Sequence, residues 1–112
     1  MDATIDNLLE NLPQDVRTEV FETLCKQDGI LIQRINSFGQ ITPEGEWYDQ
    51  SSDEWVLLVR GKATLSYENQ NDQDLRAGDY VFIPKHKKHR VDYTSDDAIW
   101  LAIHIRGSNS ST

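Results

Sequence analysis

The chain has 112 residues, enough for one domain with a modest hydrophobic core. Hydrophobic residues make up 38% and charged residues 27%, which is typical of a soluble globular protein. The net charge of −8 argues against general nucleic-acid binding, because that function needs a basic surface that displaces counterions. The longest apolar run, Trp55–Val59, is too short to span a bilayer, so no membrane partner is expected.

The N-terminal residues and the single cysteine favour a cytoplasmic location. The first residues carry acids, and no basic region with a long apolar segment follows, so no secretory signal is predicted. Cys25 is the only cysteine, which excludes an internal disulfide and a cysteine-based zinc site.

Residues 1–28 are predicted to form an N-terminal arm. Four leucine and isoleucine side chains share one helical face before Pro13, which indicates a short helix or a loosely held arm: Ile5, Leu8, Leu9 and Leu12. Residues 16–25 fit either a helix capped by Asp15 or an edge strand. Asp28 and Gly29 favour the strand, because this dipeptide is a strong hairpin signal before residues 30–36.

Residues 29–106 are predicted to form an all-β barrel, and the tail 107–112 is predicted to be disordered. Alternating apolar residues indicate strands near 30–36, 46–49, 54–60, 62–68, 80–83, 89–94 and 98–105. Turn signals separate these strands, among them Asn69–Asp72. Many short strands in a chain of this length favour a sandwich or barrel.

Two of the predicted strands, Trp55–Val59 and Ile99–Ile105, are apolar on both faces. A strand that faces solvent on one side alternates between apolar and polar residues, so both strands are expected to be covered on both sides. The N-terminal arm is one candidate for this cover, and a second subunit is the other.

Two spacings between Gly45 and His89 carry a family resemblance. Glu54 and Gly61 are separated by six residues, and the later set Gly78, Pro84 and His89 has intervals of five and four residues. These spacings resemble the paired motifs of the cupin superfamily, G-x5-HxH-x3,4-E-x6-G and G-x5-PxG-x2-H-x3-N, over about two-thirds of the chain. The resemblance implies a small antiparallel β-barrel of jelly-roll type, and the homodimer that is common among small cupins.

The resemblance also implies a set of metal ligands. In a typical cupin, the histidines and glutamate of the first motif and the histidine of the second hold one divalent metal. Counting back from Glu54, the two histidine positions fall on Tyr48 and Gln50, whereas His89 matches the second motif. The implied set is Gln50, Glu54 and His89, with His104 recruited from the last strand. This oxygen-rich set is weaker than three histidines for zinc, iron or copper. The expected cofactor is a divalent metal, namely Zn, Fe, Mn or Ni.

Each of these residues also has an ordinary structural interpretation. Glu54 and His89 either bind a metal or form a buried acid–imidazole pair inside the barrel. His104 either joins them or is a surface or interface histidine. His86 stands where the second motif has glycine, and either completes a two-histidine, one-carboxylate set or lies at the rim of the barrel.

The remaining candidates would form the wall of a pocket. They are Tyr48, His86, Tyr93 and Trp100, of which Tyr93 stands at the asparagine position of the second motif. The three aromatic residues either pack inside the barrel or orient a bound polar molecule. Four cations near the two motif histidines form either a solvated rim or an electropositive mouth: Lys85, Lys87, Lys88 and Arg90.

Two functions remain open from the sequence. The first is a metal-dependent enzyme, of oxygenase, isomerase or lyase type, acting on a small polar or anionic molecule. The second is a metal-free module that binds a small molecule without catalysis. The fold does not distinguish them.

Overall fold

A computed structural model describes residues 2–107, which form eight β-strands and no helix. The strands are β1 (Val20–Gln27), β2 (Ile30–Ser37), β3 (Asp53–Arg60), β4 (Lys62–Tyr67), β5 (Gln70–Arg76), β6 (Tyr80–Ile83), β7 (His89–Thr94) and β8 (Ala98–Ile105). This part of the chain therefore contains no apolar helix of membrane-spanning length. All but the first residue of the predicted tail lies outside the described residues.

The strands form two antiparallel sheets in a jelly-roll arrangement, as predicted. The larger sheet has the order β1-β2-β8-β3-β6, and the smaller has the order β5-β4-β7. Period-two alternation turns Val56 and Leu58 of β3 inward, together with Trp100 and Ala102 of β8. These side chains pack against residues such as Leu65 of the smaller sheet, so the core lies between the two sheets.

A glycine allows the chain to cross from β3 of the larger sheet to β4 of the smaller sheet. Gly61 has φ +91°, a conformation that residues with a side chain rarely adopt. A Cβ at this position would clash with Ser95 Oγ and lie 3.0 Å from the Cα of Ala98. The glycine that the family motif requires is therefore explained by both conformation and space.

The hairpin predicted between residues 16–25 and 30–36 is confirmed. β1 pairs with β2 in antiparallel register from Val20–Asn36 to Gln27–Ile30, around a turn at Asp28 and Gly29. β1 is the edge strand of the larger sheet. The strand interpretation is therefore the correct one for this segment, and the capped helix is not formed.

The short helix considered for residues 1–12 is also absent from the described residues. The backbone N–H of Leu9 donates to the Asn7 side chain, and the backbone N–H of Glu10 donates to the Asn7 carbonyl. These two hydrogen bonds form a turn in place of a helix. Such a short isolated helix would be marginal in water. The buried Arg34 side chain on the outer face of β2 instead holds the arm, by donating to the carbonyls of Leu8, Glu10 and Asn11 at 2.7–3.0 Å.

Two strand assignments from the sequence were wrong. Residues 46–49 form only an isolated bridge between Tyr48 and His89, because Gly45 and the exposed loop around it leave the segment without a longer partner. Strand β5, Gln70–Arg76, was not predicted, and its first three residues lie in the predicted turn Asn69–Asp72. Its sequence is almost entirely polar because it is an edge strand, and only Leu75 reaches the core.

Candidate active site in the barrel

A cavity of about 140 Å³ lies between the two sheets. It brings together six of the residues singled out in the sequence: Tyr48, Gln50, Glu54, His89, Trp100 and His104. Apolar side chains such as Val56, Leu65 and Ile83 form most of the remaining wall. The cavity is therefore a largely apolar chamber with a few polar groups that converge.

The Glu54 carboxyl lies between two imidazoles at the centre of this polar group. Glu54 is directly opposite His104 in the pairing of β3 with β8, so both side chains point into the barrel. Glu54 Oε2 is 3.9 Å from His104 Nε2, and Glu54 Oε1 is 3.8 Å from His89 Nε2. Both distances exceed a direct hydrogen bond but lie within ion-pair range, so the carboxyl and the two imidazoles are close together without being hydrogen-bonded to each other.

Burial changes the proton affinity of all three groups. Glu54 is only 8% exposed, and burial raises its pKa to about 7. Burial lowers the pKa of His89, with the Lys87 carbonyl opposing the effect, and burial lowers the pKa of His104. Near neutral pH the imidazoles are therefore uncharged, and the carboxyl exists in both its protonated and ionised forms.

The backbone fixes which nitrogen of His89 faces the cavity. His89 Nδ1 lies 2.8 Å from the carbonyl oxygen of Lys87, which can only accept a hydrogen bond. Nδ1 of the neutral ring therefore carries the proton, and Nε2 presents a lone pair toward Glu54. This arrangement suits a proton acceptor and also a metal ligand.

The loop before β3 holds the two motif segments together. Tyr48 donates its backbone N–H to the carbonyl of His89 at 2.7 Å and accepts the His89 N–H at 3.1 Å. The rings of the two residues lie 5.6 Å apart between centroids. The Gln50 carbonyl accepts the backbone N–H of His86 at 2.7 Å. These bonds place Tyr48 and Gln50 beside Glu54 in the cavity wall.

His86 does not line the cavity, contrary to its assignment as a pocket residue. It has φ +63°, the left-handed conformation that the motif normally reserves for glycine. This turn directs the ring outward, where its side chain is 64% exposed and Nδ1 lies 2.8 Å from Asp49 Oδ1. His86 therefore lies at the rim of the barrel and connects its turn to the loop that contains Asp49.

Tyr93 is also outside the cavity, and a β-bulge is the reason. Simple alternation along β7 would place it on the same face as His89 and Val91. The pairing with β4 shifts at this point: Thr64 faces Tyr93, and the next residue of β4, Leu65, faces Val91. Asp92 therefore has no partner of its own in β4 and is the bulged residue. Ser66 donates to the Asp92 side chain, and Tyr93 turns outward and is 51% exposed.

Four cavity residues come from the N-terminal hairpin region and were not predicted: Glu19, Phe21, Gln33 and Ile35. The Ser37 hydroxyl donates to Glu19 Oε2 at 2.5 Å, and burial raises the pKa of this second carboxyl. The family motifs do not reach this segment. The only available signal was the alternation of β1 and β2, which places Phe21 opposite Ile35 on the inner face.

The cluster of cations near the histidines does not form the mouth of this cavity. None of its four members lines the cavity. The Arg90 guanidinium donates hydrogen bonds to the Asp92 carboxylate and to three backbone carbonyls in residues 42–46. Lys88 Nζ lies 3.7 Å from Glu68 Oε2. The Lys87 ammonium sits 5.6 Å from the centre of the Tyr67 ring. Three of the four cations are thus engaged in local contacts.

The fold and the cavity together define a small jelly-roll barrel with an enclosed carboxylate–imidazole group. The family model for the cupin domain matches residues 39–104, which is more than half of the chain. The chain therefore belongs to the cupin family.

Solved structures agree with this assignment. A proposed mannose-6-phosphate isomerase from Ralstonia eutropha JMP134 is 36% identical, with 94% of this chain and 100% of that chain covered and a TM-score of 0.89. A cupin superfamily protein from Desulfitobacterium hafniense DCB-2 is 18% identical, with coverage of 94% and 100% and a TM-score of 0.71. KdgF from Halomonas sp. is 16% identical, with coverage of 88% and 91% and a TM-score of 0.69. No curated protein matches this chain.

Cupins commonly bind metals, and the donor chemistry of this cavity suits one. Two neutral imidazoles and a carboxyl lie close together, and Gln50 lines the same cavity. The separations are wide, however, and residues 2–107 contain no group of three or more His, Cys, Asp or Glu side chains arranged to hold a metal ion. The ligand set is therefore suitable in type but not preassembled.

Proposed function

We propose that this protein is an enzyme that uses the Glu54 carboxyl to move a proton on a small polar molecule bound in the barrel. The observation that carries the proposal is the position of this carboxyl, 3.8–3.9 Å from two imidazole nitrogens in a mostly apolar cavity. A general acid–base is most effective when its pKa lies near the working pH, and burial brings the Glu54 pKa to about 7.

A carbonyl compound with neighbouring hydroxyl groups fits these donors and acceptors. The ionised Glu54 carboxyl would take a proton from the hydroxyl-bearing carbon next to the carbonyl, and the protonated form would return it to the former carbonyl carbon. The carbonyl oxygen would gain a proton and the neighbouring hydroxyl would lose one, so the substrate is isomerised with no net change in protons. Tyr48 and Gln50 line the cavity and are the residues that would donate a hydrogen bond to a carbonyl oxygen that gains negative charge. His89 Nε2 would accept a hydrogen bond from a substrate hydroxyl, because its other nitrogen is bonded to Lys87.

The relative of 36% identity supports an isomerase reaction on a sugar-like molecule, because its name is that of a sugar phosphate isomerase. Interconversion of an aldose and a ketose transfers a proton between neighbouring carbons, which is the step described above. A cavity of about 140 Å³ is close to the roughly 150 Å³ of an engineered cavity that admits benzene. Only the reacting end of a sugar phosphate would therefore be enclosed, and the rest would extend outward.

Hydrogen exchange at carbon tests the proposal directly. The protein is incubated in D₂O with a panel of aldoses, ketoses and their phosphates, and NMR follows deuterium entering the carbon next to the carbonyl. We expect exchange with at least one compound, reduced by roughly 10²-fold or more in Glu54→Gln, as for loss of a general base. Glu44→Gln, which removes an exposed acid, is the matched control. Binding without exchange would contradict the enzyme and favour the passive binding module.

A metal-dependent form of this site is the second candidate. The Lys87 bond that leaves His89 Nε2 facing the cavity is the observation that favours it. Gln50, Glu54, His89 and His104 would hold the divalent ion, which would act as a Lewis acid. Metal analysis of protein purified without a tag or chelator decides the matter. About one equivalent, lost in His89→Ala and kept in His86→Ala, supports the metal, and none in any sample, even after metal is added back, refutes it.

A further inference from the structure

We propose that a groove beside the β1–β2 turn binds the anionic group, a carboxylate or a phosphate, of the molecule whose other end reacts at Glu54. Lys26 and Arg106 are the residues that would hold this group. The inference rests on the proposed function in one respect: it assumes that the bound anion is part of the substrate that reacts at Glu54. The groove itself is tested without any reaction.

The groove has a volume of about 620 Å³ and shares one residue, His104, with the barrel cavity. Two permanent cations, Lys26 and Arg106, line it together with one acid, Asp28. The groove is thus locally cationic on a chain whose net charge is −8. A small anion would be attracted to these two cations.

The strand register connects the groove to the cavity. Lys26 pairs with Leu31, Leu31 with His104, and His104 with Glu54. These four residues form one row across β1, β2, β8 and β3, and paired residues point to the same face of the sheet. The row therefore runs along the inner face, from the groove to the carboxyl.

The same register gives the distances. Neighbouring strands lie about 4.8 Å apart, so an anion above Leu31 would be roughly 10 Å from the Cα of Glu54. The Arg106 N–H donates to the Gly29 carbonyl at 2.8 Å, which continues the pairing past the end of β8. Arg106 is then on the same face as His104, about 7 Å further along the strand. Lys26 and Arg106 thus flank the space above Leu31.

The two cations are available for a ligand. Among residues 2–107, neither makes an ion pair, whereas Lys88 and Arg90 of the rim cluster do. A guanidinium binds two oxygens of a carboxylate or phosphate in parallel, and an ammonium adds a third charged contact. The proposed anion site is thus at the β1–β2 turn and the end of β8, and not at the electropositive mouth that was one of the two alternatives for the cations near the motif histidines.

Titration with inorganic phosphate at constant ionic strength is the first test, and sodium acetate is titrated separately to distinguish a carboxylate from a phosphate. Amide NMR signals of Gly29 and Leu31 report on the groove. We expect saturable shifts with at least one anion. The Kd should rise about 10-fold or more in Lys26→Ala and in Arg106→Ala, as for loss of a charged hydrogen bond, and be largely restored in Lys26→Arg.

Lys85→Ala is the matched control, because it removes an exposed rim cation that has no ion pair among the described residues. It should leave the Kd unchanged. The inference is overturned if neither anion gives saturable shifts, or if Lys85→Ala weakens binding as much as Lys26→Ala. Glu54→Gln should keep phosphate binding within about twofold of wild type. If the wild type binds phosphate but shows no carbon exchange with any compound, that result counts against the proposed reaction and not against the groove.

Discussion

The proton equilibrium of Glu54 predicts an unusual pH dependence of stability. The native pKa is about 7, compared with 4.5 for the unconstrained side chain. Between these values the folded chain binds more protons than the unfolded chain, so the contribution of Glu54 is fully present below pH 4.5 and is lost as the pH rises through 7. A difference of about 2.5 pKa units corresponds to roughly 3 kcal/mol, of which about 2 kcal/mol falls between pH 5.5 and pH 8.

Glu54→Gln isolates this contribution, because glutamine has a similar shape and does not titrate. The free energy of unfolding is measured by urea denaturation between pH 5.5 and 8, with tryptophan fluorescence as the probe, after treatment with a chelator. Wild type should lose about 2 kcal/mol relative to Glu54→Gln over this range. His89 and His104 titrate in both proteins, so to first order their opposite effect cancels in the difference.

Glu44→Gln provides the control, since an exposed acid should give a nearly flat difference. A flat difference for Glu54→Gln as well would refute the reasoning, because it would mean that the buried carboxyl stays ionised throughout. That result would remove the acid–base argument for this residue.

Three further predictions concern the framework of the barrel. Arg34→Met should destabilise the fold by about 1–3 kcal/mol in urea denaturation, because three carbonyls of the arm lose their donor and Glu22, whose side chain is 35% exposed, loses its ion-pair partner. It should also speed tryptic cleavage after Arg17, and an unchanged cleavage rate would show that Arg34 does not hold the arm. Gly61→Ala should cost roughly 1–3 kcal/mol in the same assay through its positive φ, and a neutral result would contradict the clash with Ser95. Phe82 is 53% exposed on the outer face of the larger sheet, and an exposed apolar surface of this kind is expected to be covered by a second copy of the chain. Light scattering after size exclusion should therefore give a dimer mass for wild type and a monomer mass for Phe82→Lys, and a monomeric wild type would refute the dimer.

Most of the fold followed from local patterns in the sequence. β6, β7 and β8 begin and end at the predicted residues, because apolar alternation bounded by turns is a local property. β5 was missed because an edge strand of a small sheet buries almost no side chain and leaves no apolar signal. Residues 46–49 alternate suitably but have only one bridge partner, and pairing is not visible in a single segment.

The site was predictable only where a motif or a simple alternation reached it. The spacing located Glu54 and His89, and alternation along β8 placed His104 with Trp100. Tyr93 was misplaced because a single inserted residue in β7 reverses which face later residues occupy. Glu19 and Lys26 could not be placed, because their position depends on the register between β1, β2 and β8, which joins segments about 80 residues apart along the chain.

The departure from the family motif explains why proton chemistry is the stronger proposal. In the typical motif, two histidines stand where this chain has Tyr48 and Gln50, and a bound cation would keep the glutamate ionised. A phenol and an amide are weaker metal ligands than histidine and carry no charge. No strongly held cation then lowers the pKa of Glu54, so the rise caused by burial is opposed less. Burial then raises the pKa of this carboxyl to about 7. The strand register thus encloses Glu54 between two neutral imidazoles. In this position the side chain exists both as a carboxylic acid that can donate a proton and as a carboxylate that can accept one.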